Sequence, residues 1–355
     1  MTRTLLLSLC ALAAGCAGDA GDAQDVATDD SPSPAGGPVV VEERWMSPAD
    51  TAWDLDTPAT WQNGGEAVVL VTGKATHQLH AFDAATGEAV GTIGSPGSGV
   101  GEFRRPNGIA VLDDLVFVVE RDNRRVQVLS MPGYETVATF GDDVLEYPYG
   151  IVIVGESPSP TLWVTDDYEV APGPDMDVSR RLHRFRLDLD EGGVRVLEHV
   201  ALGGAAPDGA LSVVETIWAD PASGLLMVAD EAQKSYLGFD DEGMPTGDVI
   251  GVGLIEGDPE GLALVECPTG SGYWIATDQR DTVSLFHLFE RSNNELVGTF
   301  RGAQTANTDG VTFTSGMVPG IGGPAFFAVH DDQSVSAFAW ADIAEALGLE
   351  EGCGR

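Results

Sequence analysis

Asp258-Pro259-Glu260-Gly261-Leu262 places two carboxylates two residues apart at the mouth of an apolar run, Leu262-Ala263-Leu264-Val265. On an extended strand residues i and i+2 point to one side, so this spacing predicts that both acids face the same way. Neighbouring anions repel unless a cation lies between them, and an all-oxygen donor set suits calcium. Asp56, Glu215, Asp230, Glu231 and Asp309 stand at matching points elsewhere in the chain. A fold that gathers these side chains makes a cage for hard cations.

The elements that must do the gathering read as short apolar strands separated by Gly, Pro, Asp and Asn turns. Residues 67–72, 115–119, 161–165, 225–229, 273–277 and 325–329 are examples. The segment 340–349 alone reads as a helix, with Ile343, Ala346 and Leu347 on one side. Each unit opens on a small-residue strand and turns into a second strand that ends in an acidic or polar residue. With Ala59, Gly108, Gly150, Thr216, Gly261 and Gly310 as markers, the steps are 49, 42, 66, 45 and 49 residues. A period in the forties with about four strands per unit is the signature of a propeller. The long step is assigned to an insertion at 168–179, rich in Pro, Gly and Asp. The expectation is an all-β, six-bladed β-propeller with a short C-terminal helix. Glycine at the openers fits close backbone approach around a central channel, and polar groups at the openers' ends then converge at one mouth of it.

The 355-residue chain is 43% apolar, enough for a full core, and it carries a formal net charge of −38 with two lysines, Lys74 and Lys234. Such a field excludes nucleic acid and anionic lipid surfaces as partners, and it repels anionic substrates unless bound metal reverses the sign locally. The chain is expected to be a monomer. Residues 1–16 read as an export signal: Arg3, an apolar run over 5–14, then Gly15-Cys16. Leu12-Ala13-Ala14-Gly15-Cys16 resembles a bacterial lipobox, with Cys16 as the lipidated residue, and the alternative is an ordinary secretory signal. Residues 17–38 suit a flexible acidic tether, and 39–355 make up the propeller. The expected location is the cell envelope of a bacterium, at the outer-membrane surface or in the periplasm, with membrane contact only through that anchor. An oxidising compartment leaves Cys267 and Cys353 either as a disulfide or as two free thiols. The six histidines show no metal-ligand spacing.

The segment from Gly97-Ser98-Gly99-Val100-Gly101-Glu102-Phe103 through Pro106-Asn107-Gly108-Ile109 to Asn123-Arg124-Arg125-Val126 looks like one NHL repeat, itself a propeller blade. A wider resemblance, from about Asp56 to Leu349, is to the β-propeller phytases. It is carried by Asp258-Pro259-Glu260-Gly261-Leu262, Gly272-Tyr273-Trp274-Ile275-Ala276 with Gln279, Phe289-Glu290-Arg291, Thr308-Asp309-Gly310-Val311 and Phe326-Phe327-Ala328-Val329-His330-Asp331-Asp332. Asp56-Thr57-Pro58-Ala59-Thr60-Trp61 is similar to that family's opening motif, and Thr72-Gly73-Lys74 to a lysine-bearing motif after it.

The resemblance implies a calcium-dependent phosphatase that hydrolyses phosphomonoesters of myo-inositol hexakisphosphate by metal-activated water, with several calcium ions at the channel mouth. Carried over by position, Asp56, Glu215, Asp230 or Glu231, Asp258, Glu260, Gln279 and Asp309 hold metal. Glu260, Asp258 and Glu231 serve catalysis, and Lys74, Arg121 and Tyr149 contact phosphate. The sequence departs from the family where a second consecutive lysine becomes Ala75 and a basic position of the third blade becomes Asp166-Asp167. A non-catalytic, calcium-stabilised propeller that binds a partner at the cell surface is the alternative, and a lactonase-type propeller is a third class. By residue type alone, Lys74 and Arg121 also suit ordinary salt bridges, and Tyr149 suits channel packing.

Overall fold

The computed structural model describes residues 37–170, 177–190, 193–203 and 211–354. Cys16, the segment 1–16 and nearly all of 17–38 lie outside these residues, as do 171–176 of the insertion. The rest forms six blade sheets of four or five strands in chain order, with a small two-stranded sheet, Ser95–Pro96 and Glu102–Phe103, between the first two, confirming the propeller. The first blade runs Leu55–Asn63, Glu66–Gly73, Gln78–Asp83 and Ala89–Ile93 from the channel outward. Four later blades begin at Pro106, Pro148, Val214 and Leu262. The sixth takes Val311–Val318, Gly323–His330 and Ser334–Ala339 from the C-terminal end and borrows Trp45–Met46 as its outer strand. Val39–Val40 adds to the outer edge of the fifth blade, in parallel. The start of the domain thus closes the ring by pairing with its end.

Alternation decides how the blades pack. In Gly323–His330, Ala325, Phe327 and Val329 join Leu55, Val69, Val71 and Phe82 of the first blade. Phe326 and Ala328 face the other way, joining Ala263, Val265, Ile275 and Phe286 of the fifth. A strand buried on both faces has no polar side, which is why these stretches read as continuous apolar runs. The other four junctions repeat this pattern, one buried cluster per pair of blades.

The glycine markers sit where neighbouring inner strands nearly touch. A Cβ on Gly108 would fall 2.4 Å from the Tyr149 carbonyl oxygen, one on Gly150 2.6 Å from that of Glu215, and one on Gly310 2.5 Å from that of Asp56. These three carbonyls are therefore equivalent, and a shared irregularity in strand register agrees: Leu55, Pro148 and Val214 each precede a shift ending at Pro58, Ile151 and Ile217. The repeating marker of the first blade is Thr57 and not Ala59, because that register aligns Asp56 with Tyr149 and Glu215.

The polar residue ending each second strand has a fixed task. Glu120, Asp166, Asp230 and Asp278 are almost fully buried. Each accepts a backbone N–H from the loop leading into its own blade: Arg104 at 3.1 Å, Glu146 at 2.8 Å and Tyr147 at 2.7 Å, Ser212 at 2.7 Å and Gly257 at 2.7 Å. In the sixth blade the His330 ring takes the Ala306 N–H at 3.1 Å. Paired loop donors are the condition for burying such backbone at all. The histidines that showed no metal spacing are also structural. His80, His183 and His287 occupy the same buried place on the third strands of their blades and bond Thr76, His199 and Thr299.

The helix spans Trp340–Leu347 and ends at Gly348, whose φ of 66° closes it with N–H bonds to the Ala344 and Glu345 carbonyls. Trp340 and Ile343 cover the cluster between the fifth and sixth blades. Cys267 and Cys353 form a disulfide that ties the tail to the fifth blade, deciding between the two states the sequence left open.

Candidate functional site

The residue at the lip of each inner strand points toward the channel mouth, giving one per blade: Asp56, Asn107, Tyr149, Glu215, Glu260 and Asp309. Asp56, Glu215 and Glu260 are buried, Asn107 wholly so. A second set comes from the residue immediately after each second strand: Lys74, Arg121, Asp167, Glu231, Gln279 and Asp331. Three of the second set, Lys74, Gln279 and Glu231, meet the first in two clusters of opposite character.

In the first, the Lys74 ammonium lies 2.5 Å from Asp309 Oδ2, 3.1 Å from Asp56 Oδ2 and 3.5 Å from Asp54 Oδ1. Asp56 Oδ2 also accepts from Asn107 Nδ2 and the Tyr149 hydroxyl, both at 3.3 Å, and Oδ1 accepts from Thr57 Oγ1 at 2.6 Å. Gln279 Nε2 donates to Asp309 Oδ1 at 2.5 Å. Burial works against the charge on Lys74, yet Asp56 and Asp309 overrule it and hold the amine protonated, well above the usual lysine range. One ammonium serves three carboxylates, so burial still lifts Asp309 to about 7.

In the second cluster Glu215, Glu231 and Glu260 bring one carboxylate oxygen each within 4.8 Å of the others. Among the described residues, no ion pair reaches any of the three. Burial, with Glu215 and Asp309 adding repulsion, drives the Glu260 carboxyl far above the normal carboxylate range. Glu215 is driven up in the same way, by burial and then by Glu231 and Asp56. Glu215 Oε2 is buried with no hydrogen-bond partner. An orphaned carboxylate oxygen costs roughly 1–3 kcal/mol or more, unless something absent from the chain supplies the positive charge. Oxygen-only donors, a missing counter-charge and that orphan oxygen all fit a hard divalent cation.

The structure brings together Asp56, Glu215, Glu231, Glu260, Gln279, Asp309, Lys74 and Tyr149 from the sequence-derived set. Three others go elsewhere. Asp230 is the loop-holding acid of the fourth blade, bonded to Ser212, so of the pair Asp230 and Glu231 it is Glu231 that faces the mouth. Asp258 pairs with Lys234 at 2.6 Å, its side chain 43% exposed. The expected common face with Glu260 fails because the regular strand starts only at Leu262; residues 257–261 make a lone bridge, Asp258 to Gln279, so alternation does not apply there. Arg121 pairs with Asp122 at 2.9 Å and stands over the Tyr147 ring.

Sequence reasoning missed Asn107, although it precedes Gly108 just as Glu260 precedes Gly261; its residue type carries no charge and hid it. Substituting Asp230→Ala should cost about 1–3 kcal/mol in a urea melt by stranding the Ser212 N–H, and leave calcium-induced stabilisation intact. A lost calcium response would return Asp230 to the metal set.

Below the mouth the channel holds a cavity of about 340 Å³, lined by Asp56, Tyr149, Glu260 and Asp309 at the mouth and by Trp218, Phe313 and Thr314 among the residues farther along the inner strands. The basic side chains on the loops between second and third strands are largely spoken for: Arg180 lies 2.6 Å from Glu146 and Arg280 2.5 Å from Asp278, in addition to the pairs above.

No family model matches the chain, and no curated protein matches it. Among solved structures, one described as the crystal structure of BBS1N in complex with ARL6DN, soaked with mercury, aligns over 84% of this chain and 97% of its own. The TM-score is 0.47 and the identity 11%. The six-bladed architecture stands on this chain's own strand order.

Proposed function

We propose that the protein is a calcium-dependent phosphatase acting on phosphate monoesters of the inositol phosphate class. The observation that carries this reading is the Glu215–Glu231–Glu260 cluster at the channel mouth, two of its acids buried and Glu231 half-buried, with an unsatisfied carboxylate oxygen and no ion-paired cation among the described residues. Calcium held there supplies positive charge against phosphate oxygens and acidifies a water molecule. Glu215, Glu231 and Glu260 would fix the position of that charge, with Glu215 and Glu260 buried and Glu231 on the half-exposed side. The Tyr149 hydroxyl, bonded to Asp56 at 3.3 Å, is oriented at the edge of the same space. Lys74 gives the mouth a fixed ammonium next to the carboxylates.

The test is phosphate release from inositol hexakisphosphate in calcium and in EDTA, with melting curves on the same samples. The expected result is release in calcium only. Calcium at about 100 times its dissociation constant should also add about 2.7 kcal/mol of stability. No release across a calcium series and a broad panel of phosphate esters would refute the enzyme.

A second reading, a calcium-stabilised propeller that binds a partner without turnover, is favoured by the commitment of Lys74 and Arg121 to Asp309 and Asp122. It predicts the calcium-dependent melt without phosphate release. Hydrolysis of lactones in place of phosphate esters would select the lactonase class.

A further inference from the structure

We propose that Lys74 is a built-in counter-cation that confines divalent binding to the Glu215–Glu231–Glu260 half of the mouth and bars it from the Asp56–Asp309 half. The inference rests on the calcium reading above and narrows it.

The two halves differ in what their oxygens already do. Asp309 is satisfied twice, Oδ2 by Lys74 and Oδ1 by Gln279 Nε2. Asp56 is satisfied on both oxygens, by Thr57, Asn107, Tyr149 and Lys74. A divalent ion entering there must strip these donors and displace an ammonium that is only 7% exposed. Displaced but still buried, that ammonium would repel the incoming ion at short range, where the interaction is strongest. The Glu215 half has no ammonium among the described residues; the Tyr149 hydroxyl is the one donor it shares with Asp56, and Glu215 Oε2 is unpartnered.

The source of the asymmetry is visible in the repeat. Lys74 and Glu231 occupy the same station, the first residue after the second strand, in the first and fourth blades. One position in the repeat thus supplies a cation on one side of the mouth and a metal-binding anion on the other. The Lys74 backbone N–H donates to the Asp54 carbonyl at 2.8 Å, which fixes the root of the side chain below its three acids.

The experiment is calcium binding by titration calorimetry on the folded chain, with bound ions per chain as the readout. Glu231→Gln should lower the count by one, and Asp309→Asn should leave it unchanged. Lys74→Met should raise it by one, because the freed Asp56 and Asp309 then lack a counter-charge. Should Lys74→Met fail to fold, the Asp309→Asn arm decides alone: a count that drops by one overturns the proposal, and an unchanged count upholds it. An unchanged count in a folded Lys74→Met protein also overturns it. No calcium binding by any form would remove the calcium reading itself, an outcome distinct from a wrong assignment of Lys74.

Discussion

Glu260→Gln should reduce calcium-dependent phosphate release by at least about 10²–10³-fold, while the protein in EDTA stays as stable as the parent to within about 1 kcal/mol. The two halves of this result have one cause. Without metal, burial and then repulsion from Glu215 and Asp309 push the Glu260 carboxyl toward its neutral form. Gln has the size and shape of that neutral acid, so the metal-free fold has little to lose. Once a divalent ion is present the carboxylate is needed as an anion, and an amide cannot supply the charge. The calcium-induced rise in melting temperature should therefore shrink in the variant. Parent-like activity with a full calcium response would place the metal elsewhere, whereas a collapse in EDTA would mean that Glu260 carries a structural load the hydrogen bonds do not show.

Removing the disulfide by Cys267→Ala with Cys353→Ala should be the most destabilising change outside the mouth. The bond closes a loop over 86 residues of separation. Loop-closure entropy for that length gives about 4.5 kcal/mol at 25 °C. Part of the tail should stay docked in the variant. The Gly354 N–H bonds the Glu266 carbonyl at 2.6 Å, and the Glu350 carboxylate accepts from Thr269 at 3.0 Å and Ser271 at 2.6 Å. These local bonds do not restrict the unfolded chain, so they cannot replace the cross-link. A urea midpoint shift corresponding to about 3–5 kcal/mol is expected, and the same shift should follow reduction of the parent by a dithiol. A change below 1 kcal/mol would show that the tail is anchored by packing of Trp340 and Ile343 alone. Calcium binding should be unchanged, since Cys267 lies in the turn between the fifth blade's first two strands, at the far end of Leu262–Glu266 from Glu260.

Much of the architecture could be read before any coordinates. Strand positions followed from apolar runs between turn residues, and the blade count from the spacing of small openers. Gly108, Gly150 and Gly310 carried that signal because no Cβ fits against the neighbouring blade's carbonyl. The acids ending the second strands were also visible as a pattern, but their task was not. Asp230 and Glu231 are adjacent and chemically alike, and only the packed loop shows that Asp230 is occupied by the Ser212 N–H while Glu231 is not.

Local order along the chain thus dictated the wheel, its six spokes and the acid-rich character of its mouth, because side-chain alternation and backbone crowding act between near neighbours. Which acids share a cation was settled only by ring closure. Lys74 and Asp309 are 235 residues apart and meet at 2.5 Å because the last blade packs against the first. Charge pairing depends on distance in space, and no periodicity in sequence encodes that distance.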